Sequence, residues 1–255
     1  MKITFLGTGT SQGVPIIGCK CEACLSTDKR DKRLRCAIMI TLDDGRNIVI
    51  DIGPDFRYQM LREGVEDIEA ILITHEHNDH MVGLDDVRPI NFLQRKDMPV
   101  YALERVIKNL KERFAYIFST NPYPGIPRIK LLPIHKSNPF EVAGQHIIPI
   151  EVMHYKLSVL GFRFGDFTYL TDIKTISDEE LEKVKGTKIL VLGALQRQEH
   201  ISHLTIDEAI TLSQKIQPEQ CYFTHMSHRL GKHADVIKTL PKNITLAYDG
   251  LILNL

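Results

Sequence analysis

Several things are scarce in these 255 residues, and each scarcity narrows the reading. There is no charge excess: 32 Lys and Arg stand against 32 Asp and Glu. That balance gives no field of the kind that draws nucleic acid or a membrane surface. No apolar run is long enough to cross a bilayer. The chain passes from Met1-Lys2 straight into an apolar segment, without the stretch and small-residue cleavage site of a secretory leader. The expectation is a cytoplasmic protein with no membrane contact. No linker-like or low-complexity stretch divides the sequence, so one domain over residues 1–255 is expected. Only five cysteines are present. Three of them fall within six residues, which suits a metal in a reducing compartment better than a disulfide framework.

What is present is ordinary in bulk, with 43% apolar and 25% charged residues, enough for a sizeable core. Short strands are expected at residues 3–6, 36–42, 47–52 and 70–73, and Asp43-Asp44-Gly45-Arg46 between the second and third is a hairpin signal. Residues 54–62 carry a helical pattern. Residues 89–130 are less regular, with a helical period over 103–118 and a Pro/Gly-rich loop at 121–127; the segment is either a cap over a site or a connecting element. Strands follow at 146–153, 159–164, 167–170, 189–192, 220–223, 244–247 and 251–255, with helices at 177–185 and 206–216. Two β-rich halves closed by helices suggest sheet packed on sheet with helices outside. The run at 29–35 is a candidate basic patch or a solvated loop.

The strongest chemical signal is Thr74-His75-Glu76-His77-Asn78-Asp79-His80. Imidazole and carboxylate are the usual ligands of zinc and manganese-type ions. In an extended segment His75 and His77 project to the same side. If a helix follows, Asp79 and His80 can face a second ion. Further ligand types stand directly after apolar strands: His154, Asp172 and His225. A second signal is Gly18-Cys19-Lys20-Cys21-Glu22-Ala23-Cys24, whose three thiolates can close around one zinc that still wants a fourth ligand. Cys36 and Cys221 sit in apolar strand patterns and read as core.

His75-x-His77-x-Asp79-His80, followed by His154, Asp172 and His225, resembles the metallo-β-lactamase superfamily over essentially the whole chain. The resemblance implies an α/β fold, the four-layer αβ/βα sandwich of that superfamily. It implies that His75, His77 and His154 hold one divalent ion (Mn2+ or Zn2+), that Asp79, His80 and His225 hold another, and that Asp172 bridges them. An aspartate in the bridging place is typical of phosphodiesterase-like branches, where β-lactamases carry cysteine. Gly7-Thr8-Gly9-Thr10-Ser11-Gln12-Gly13-Val14-Pro15 with the cysteine loop is similar to the phosphoribosyl cyclic phosphodiesterase family of bacterial phosphonate degradation. That likeness implies a structural zinc held by Cys19, Cys21, Cys24 and His228, and a homodimer.

The implied reaction is hydrolysis of a small (cyclic) phosphodiester. The leaving oxygen needs a proton, and His200, His203 and His233 are candidates to give it. His203 matches the proton donor of the resembling phosphodiesterases, so it stands with Asp79 and Asp172 as the expected catalytic set. Asp51 and Asp249 are candidates to orient ligand imidazoles or to shape turns. Arg88 either meets a substrate phosphate or pairs with Asp85 or Asp86. The competing reading is a nuclease like the tRNA 3′-processing members, which carry a long arm for RNA; no such insertion is seen, and net neutrality argues against nucleic acid. Thioester hydrolysis is a further alternative.

Overall fold

A computed structural model describes residues 1–121 and 123–255. They form two compact units, one of Met1–Leu6, Cys36–His135 and Gly250–Leu255, the other of Gly7–Arg35 and Lys136–Asp249. In chain order the first unit holds β1 (Lys2–Gly7), β2 (Ala37–Thr41), β3 (Asn47–Ile50), β4 (Ala70–Leu72), β5 (Met98–Ala102) and β6 (Ile129–Pro133). The second holds β7 (Phe140–Val142), β8 (Gln145–His154), β9 (Leu157–Phe164), β10 (Phe167–Leu170), β11 (Thr175–Ile176), β12 (Ile189–Gly193), β13 (Gln220–Thr224) and β14 (Ile244–Leu246). The chain then returns to the first unit as β15 (Ile252–Asn254).

The first sheet runs β15-β1-β2-β3-β4-β5-β6. Its β2–β3 hairpin turns on Gly45, at φ +88, with Leu42 N–H donating to Arg46 O at 2.9 Å. Strands β3 to β6 are parallel. The second sheet runs β11-β8-β9-β10-β12-β13-β14, with β7 beside β8. Its β10, β12, β13 and β14 are parallel and read as short apolar runs, as strands covered on both faces do. Each unit has its own core, around Leu6, Val49, Ile71 and Val100 in the first and Leu170, Leu192, Phe223 and Leu246 in the second.

The irregular stretch at 89–130 is corrected by the structure. It contributes β5 and β6 to the sheet as well as a helix, so it is not a cap alone. The helix expected over 103–118 is Glu104–Arg113. It ends where Phe114 leaves helical backbone, and Phe114 and Phe118 pack on the core from the turns beyond it. Of the loop expected at 121–127, Pro122 lies outside the described residues.

Parallel strands bring their C-terminal ends to one edge, where ligands gather in open α/β sheets. After β3 the chain turns at Asp51, and after β4 it enters the histidine loop. These two segments lock together: Ile52 N–H donates to His80 O and Gly83 N–H to Ile52 O, both at 2.8 Å. Gly83 is required for that approach, since a Cβ there would lie 2.4 Å from Gly53 O and 2.9 Å from Ile52 O. Gly83→Ala is therefore expected to lower stability by at least about 1–3 kcal/mol, the usual scale of overpacking, read as a drop in the urea midpoint at unchanged slope. An unchanged midpoint would contradict this account of the contact.

Candidate metal centres

In the first unit the loop leaves β4 extended and becomes helical at Asn78–Met81, with His77 as its N-cap. The helix that the sequence left as a condition for a second ion is therefore present. His75 and His80 are fully buried, Asp79 nearly so, and His77 is exposed. The His75 ring lies 4.5 Å from His77 and 4.3 Å from His80, centroid to centroid.

Asp51 organises two of these rings. It is fully buried, with φ +66. Its Oδ2 meets His80 Nδ1 at 2.6 Å, and it accepts Thr74 N–H and Thr74 Oγ1–H, each at 2.9 Å. The Thr74 hydroxyl spends its one proton on Asp51, so it accepts from His75 Nδ1, 2.9 Å away. Both imidazoles are thereby protonated at Nδ1 and present Nε2. Burial pushes the Asp51 carboxyl above its usual value, against the pull of His80 and the Thr74 donors. Thr74 had no signal in the sequence beyond its place between strand and histidine.

The donor set fits a cation. His80 Nε2 stands 3.3 Å from Asp79 Oδ2. With the Nδ1 proton committed to Asp51, a positive charge, either a proton or a metal ion, is needed between that nitrogen and the carboxylate.

In the second unit His154 is the last residue of β8, Asp172 stands two residues past β10, and His225 directly follows β13. Asp172 and His225 have left-handed backbone, at φ +48 and +57. Asp172 Oδ2 lies 3.2 Å from His225 Nε2 and accepts Thr171 Oγ1–H at 2.8 Å. Gly193 of β12 leaves room beside it, since a Cβ there would be 3.3 Å from Asp172 N. The His203 ring lies 4.4 Å from His154 and stacks on His225 at 4.9 Å, with Nδ1 3.8 Å from Asp172 Oδ1. His154, Asp172 and His203 each bring a ligand atom within 4.8 Å of the others.

The loop carrying His203 is fixed from both ends. Leu204 N–H donates to Ile173 O at 2.9 Å. Thr205 and Glu208 form a reciprocal capping box at the start of the helix Ile206–Ile216. Burial pulls the His203 imidazole down to about 3, with the Asp172 charge opposing and the neighbouring histidines reinforcing. His203 is thus neutral in the metal-free chain. His200 lies 5.0 Å from it. His233, the other candidate donor, is buried, with its backbone N–H donating to Asp31 Oδ1 at 2.7 Å, and belongs to a different cluster.

That cluster supports the cysteine loop. Cys19, Cys21 and Cys24 Sγ lie 3.3, 3.3 and 3.8 Å from His228 Nδ1, a three-sulfur, one-nitrogen set suited to tetrahedral zinc. Cys21 falls to about 6; burial opposes this, but hydrogen bonds from the Cys24 backbone and from His228 outweigh it. Cys24 rises to about 11, first through burial and then through its neighbouring thiols. One thiolate forms readily and resists the next, so full ionisation calls for a cation at the centre. Arg33, fully buried, donates to Ser227 O at 3.1 Å and Gly231 O at 3.2 Å and pairs with Asp31 at 3.1 Å. It brackets the segment bearing His228. For Arg33 the solvated-loop and basic-patch readings of 29–35 are both overturned, because its charge is spent on these backbone carbonyls.

The remaining candidates have plain roles. Asp249 accepts Thr8 Oγ1–H and Leu34 N–H, each at 2.7 Å, and so shapes the N-terminal loop. Arg88 pairs with Asp85 at 3.1 Å. Cys36 and Cys221 are buried in strand regions. Among the described residues no helix is long and apolar enough to cross a membrane.

The model of the beta-lactamase superfamily domain matches residues 46–226, well over half of the chain. The chain belongs to the metallo-β-lactamase superfamily. A crystal structure described as a new diphosphatase from the PhnP family is similar at TM-score 0.93 and 40% identity, over 100% of this chain and 97% of that one. Zn(2+)-bound PqqB from Methylobacterium extorquens shares the fold at TM-score 0.79, with 17% identity and full coverage of both chains. A Porphyromonas gingivalis protein named octanoyltransferase is 41% identical over 98% of this chain but only 51% of its own length. The chain spans about half the length of the curated relatives it matches. Superfamily membership supports a metal-dependent hydrolase with divalent ions such as zinc.

Cys21→Ser is expected to remove the zinc of the thiolate set. Metal analysis of the purified variant should find one equivalent fewer than in the wild type, and unchanged zinc would refute the assignment.

Proposed function

We propose that this protein is a two-metal-dependent phosphodiesterase that hydrolyses a small (cyclic) phosphodiester such as a phosphoribosyl cyclic phosphate or a nucleotide. Its ions, Mn2+ or Zn2+, are held by His75, His77, Asp79, His80, His154, Asp172 and His225. A structural zinc is held by Cys19, Cys21, Cys24 and His228. The observation that carries the reading is Asp172, a carboxylate 3.2 Å from His225 and 3.8 Å from His203, in the place where β-lactamases carry a cysteine. The likeness at 40% identity to a diphosphatase of the PhnP family supports it.

Divalent ions, when bound, supply Lewis acidity toward phosphoryl oxygens and a water of lowered pKa. The chain's own residues do the rest. Asp51, directly and through Thr74, fixes which nitrogen His80 and His75 offer. His203 delivers the proton that the leaving oxygen requires. The imidazole must first be loaded with that proton. Asp172 faces the imidazole and favours its loaded form.

His203→Ala should keep its metals and lose about 10²–10⁴ in turnover on a diester with a poor leaving group, the usual scale of general acid catalysis. The loss should be smaller on bis-p-nitrophenyl phosphate, whose leaving group needs no proton. Wild-type turnover on the poor leaving group would rule out the acid role. The octanoyltransferase name of the Porphyromonas gingivalis relative favours a second reading, acyl or thioester chemistry. A metal-reconstituted assay across cyclic nucleotides, phosphoribosyl cyclic phosphate and an acyl thioester decides between the two. Activity confined to the thioester would overturn the phosphodiesterase reading.

A further inference from the structure

The residues interleaved with the histidine-loop ligands are themselves held. Glu76 Oε1 accepts from Arg105 Nε at 3.1 Å. Asn78 Oδ1 accepts from Arg113 Nη1 at 2.6 Å. Both arginines belong to the helix Glu104–Arg113. Eight residues separate them, so they stand about 12 Å apart along its axis. The helix is a firm mount, because Val106, Ile107 and Leu110 are buried in the core of the first unit. Arg113 is also aimed by its own helix, with Nε donating to Asn109 Oδ1 at 2.6 Å.

Glu76 and Asn78 flank His77. Within the loop His77 differs from His75 and His80, which are buried and oriented through Asp51. It is exposed, with its ring edge-on to that of His75 at 4.5 Å. Side chains on both sides of it are instead gripped from one helix.

We propose that Arg105 and Arg113 are positioning residues that hold His77 in place to bind metal. The inference rests on the reading of His77 as a metal ligand. Solvent-accessible pairs of this kind, one part-buried and one exposed, add little to global stability, so the role should appear in metal retention and not in folding. The purpose of the grip is to reduce the order the loop must acquire when an ion binds, as outer partners do at other metal sites.

The test is a chelator competition for Zn2+ or Mn2+ on the intact protein, with the thermal midpoint measured alongside. Arg105→Met/Arg113→Met together should weaken ion retention about 10- to 100-fold, the scale seen when outer partners of metal ligands are removed. Its melting temperature should stay near that of the wild type. Arg105→Lys should recover part of the loss, because an ammonium can still meet Glu76. Lys108→Met, on the same helix but outside the grip, should bind as the wild type does. His77→Ala sets the loss expected when the imidazole itself is gone. Wild-type retention in the double variant, or an equal loss in Lys108→Met, would overturn the proposal. A wild-type protein whose retention is untouched by His77→Ala would overturn the ligand reading beneath it, and that failure is visible without the arginine variants.

Discussion

Left-handed backbone at the ends of strands is the constraint on which the chemistry depends. Asp51 leaves β3 at φ +66, Asp172 follows β10 at +48 and His225 follows β13 at +57. None is glycine, and each such residue costs of order 1–3 kcal/mol unless its surroundings hold it. Here they do. Asp51 N–H donates to Leu72 O at 2.9 Å, and its carboxyl is tied to Thr74 and His80. Met226 N–H donates to Thr8 O at 2.9 Å and Thr10 N–H to Met226 O at 3.2 Å, which pins the residue after His225. Each turn ends its strand on a polar residue that stays buried.

A second dependence lies within the second unit. The segment from His225 to Gly231 is held by Thr8 and Thr10, by Leu195 and by the buried Arg33 guanidinium. A buried charge without a partner would be costly, and Arg33 meets that demand through Asp31 and two carbonyls. The same segment brings His228 to the three thiols. The N-terminal loop and the strand end after β13 therefore stand or fall together, and the structural zinc proposed at Cys19, Cys21, Cys24 and His228 would tie them at a further point.

Much of this was legible in the sequence because it obeys local rules. The hairpin at 43–46 and the helix Ile206–Ile216 follow from turn and capping chemistry. The histidine loop shows itself through ligand types with no packing rationale. The strands β5, β6, β7 and β11 were missed: β5 carries Pro99 and β6 ends on Pro133, while β7 and β11 are only three and two residues long, so none shows a clean alternation. Thr74 was missed because its function is a relay, visible only when Asp51 and His75 are placed on either side of it. Arg33 was hidden in a charged run that looks solvated. The meeting of Cys19 with His228, 209 residues apart, came only through a family resemblance, since no spacing rule reaches so far.

The central claim is that one chain carries two kinds of metal site, a nitrogen and oxygen set built on His75–His80 and the strand-end ligands, and a thiolate set that does no chemistry. Metal content per chain, measured on protein reconstituted with zinc and then dialysed against a mild chelator, tests it most directly. The account predicts three equivalents before dialysis and retention of one, held by thiolate, when activity is lost. A protein that takes up no divalent ion, or loses its last ion while turnover continues, would contradict it.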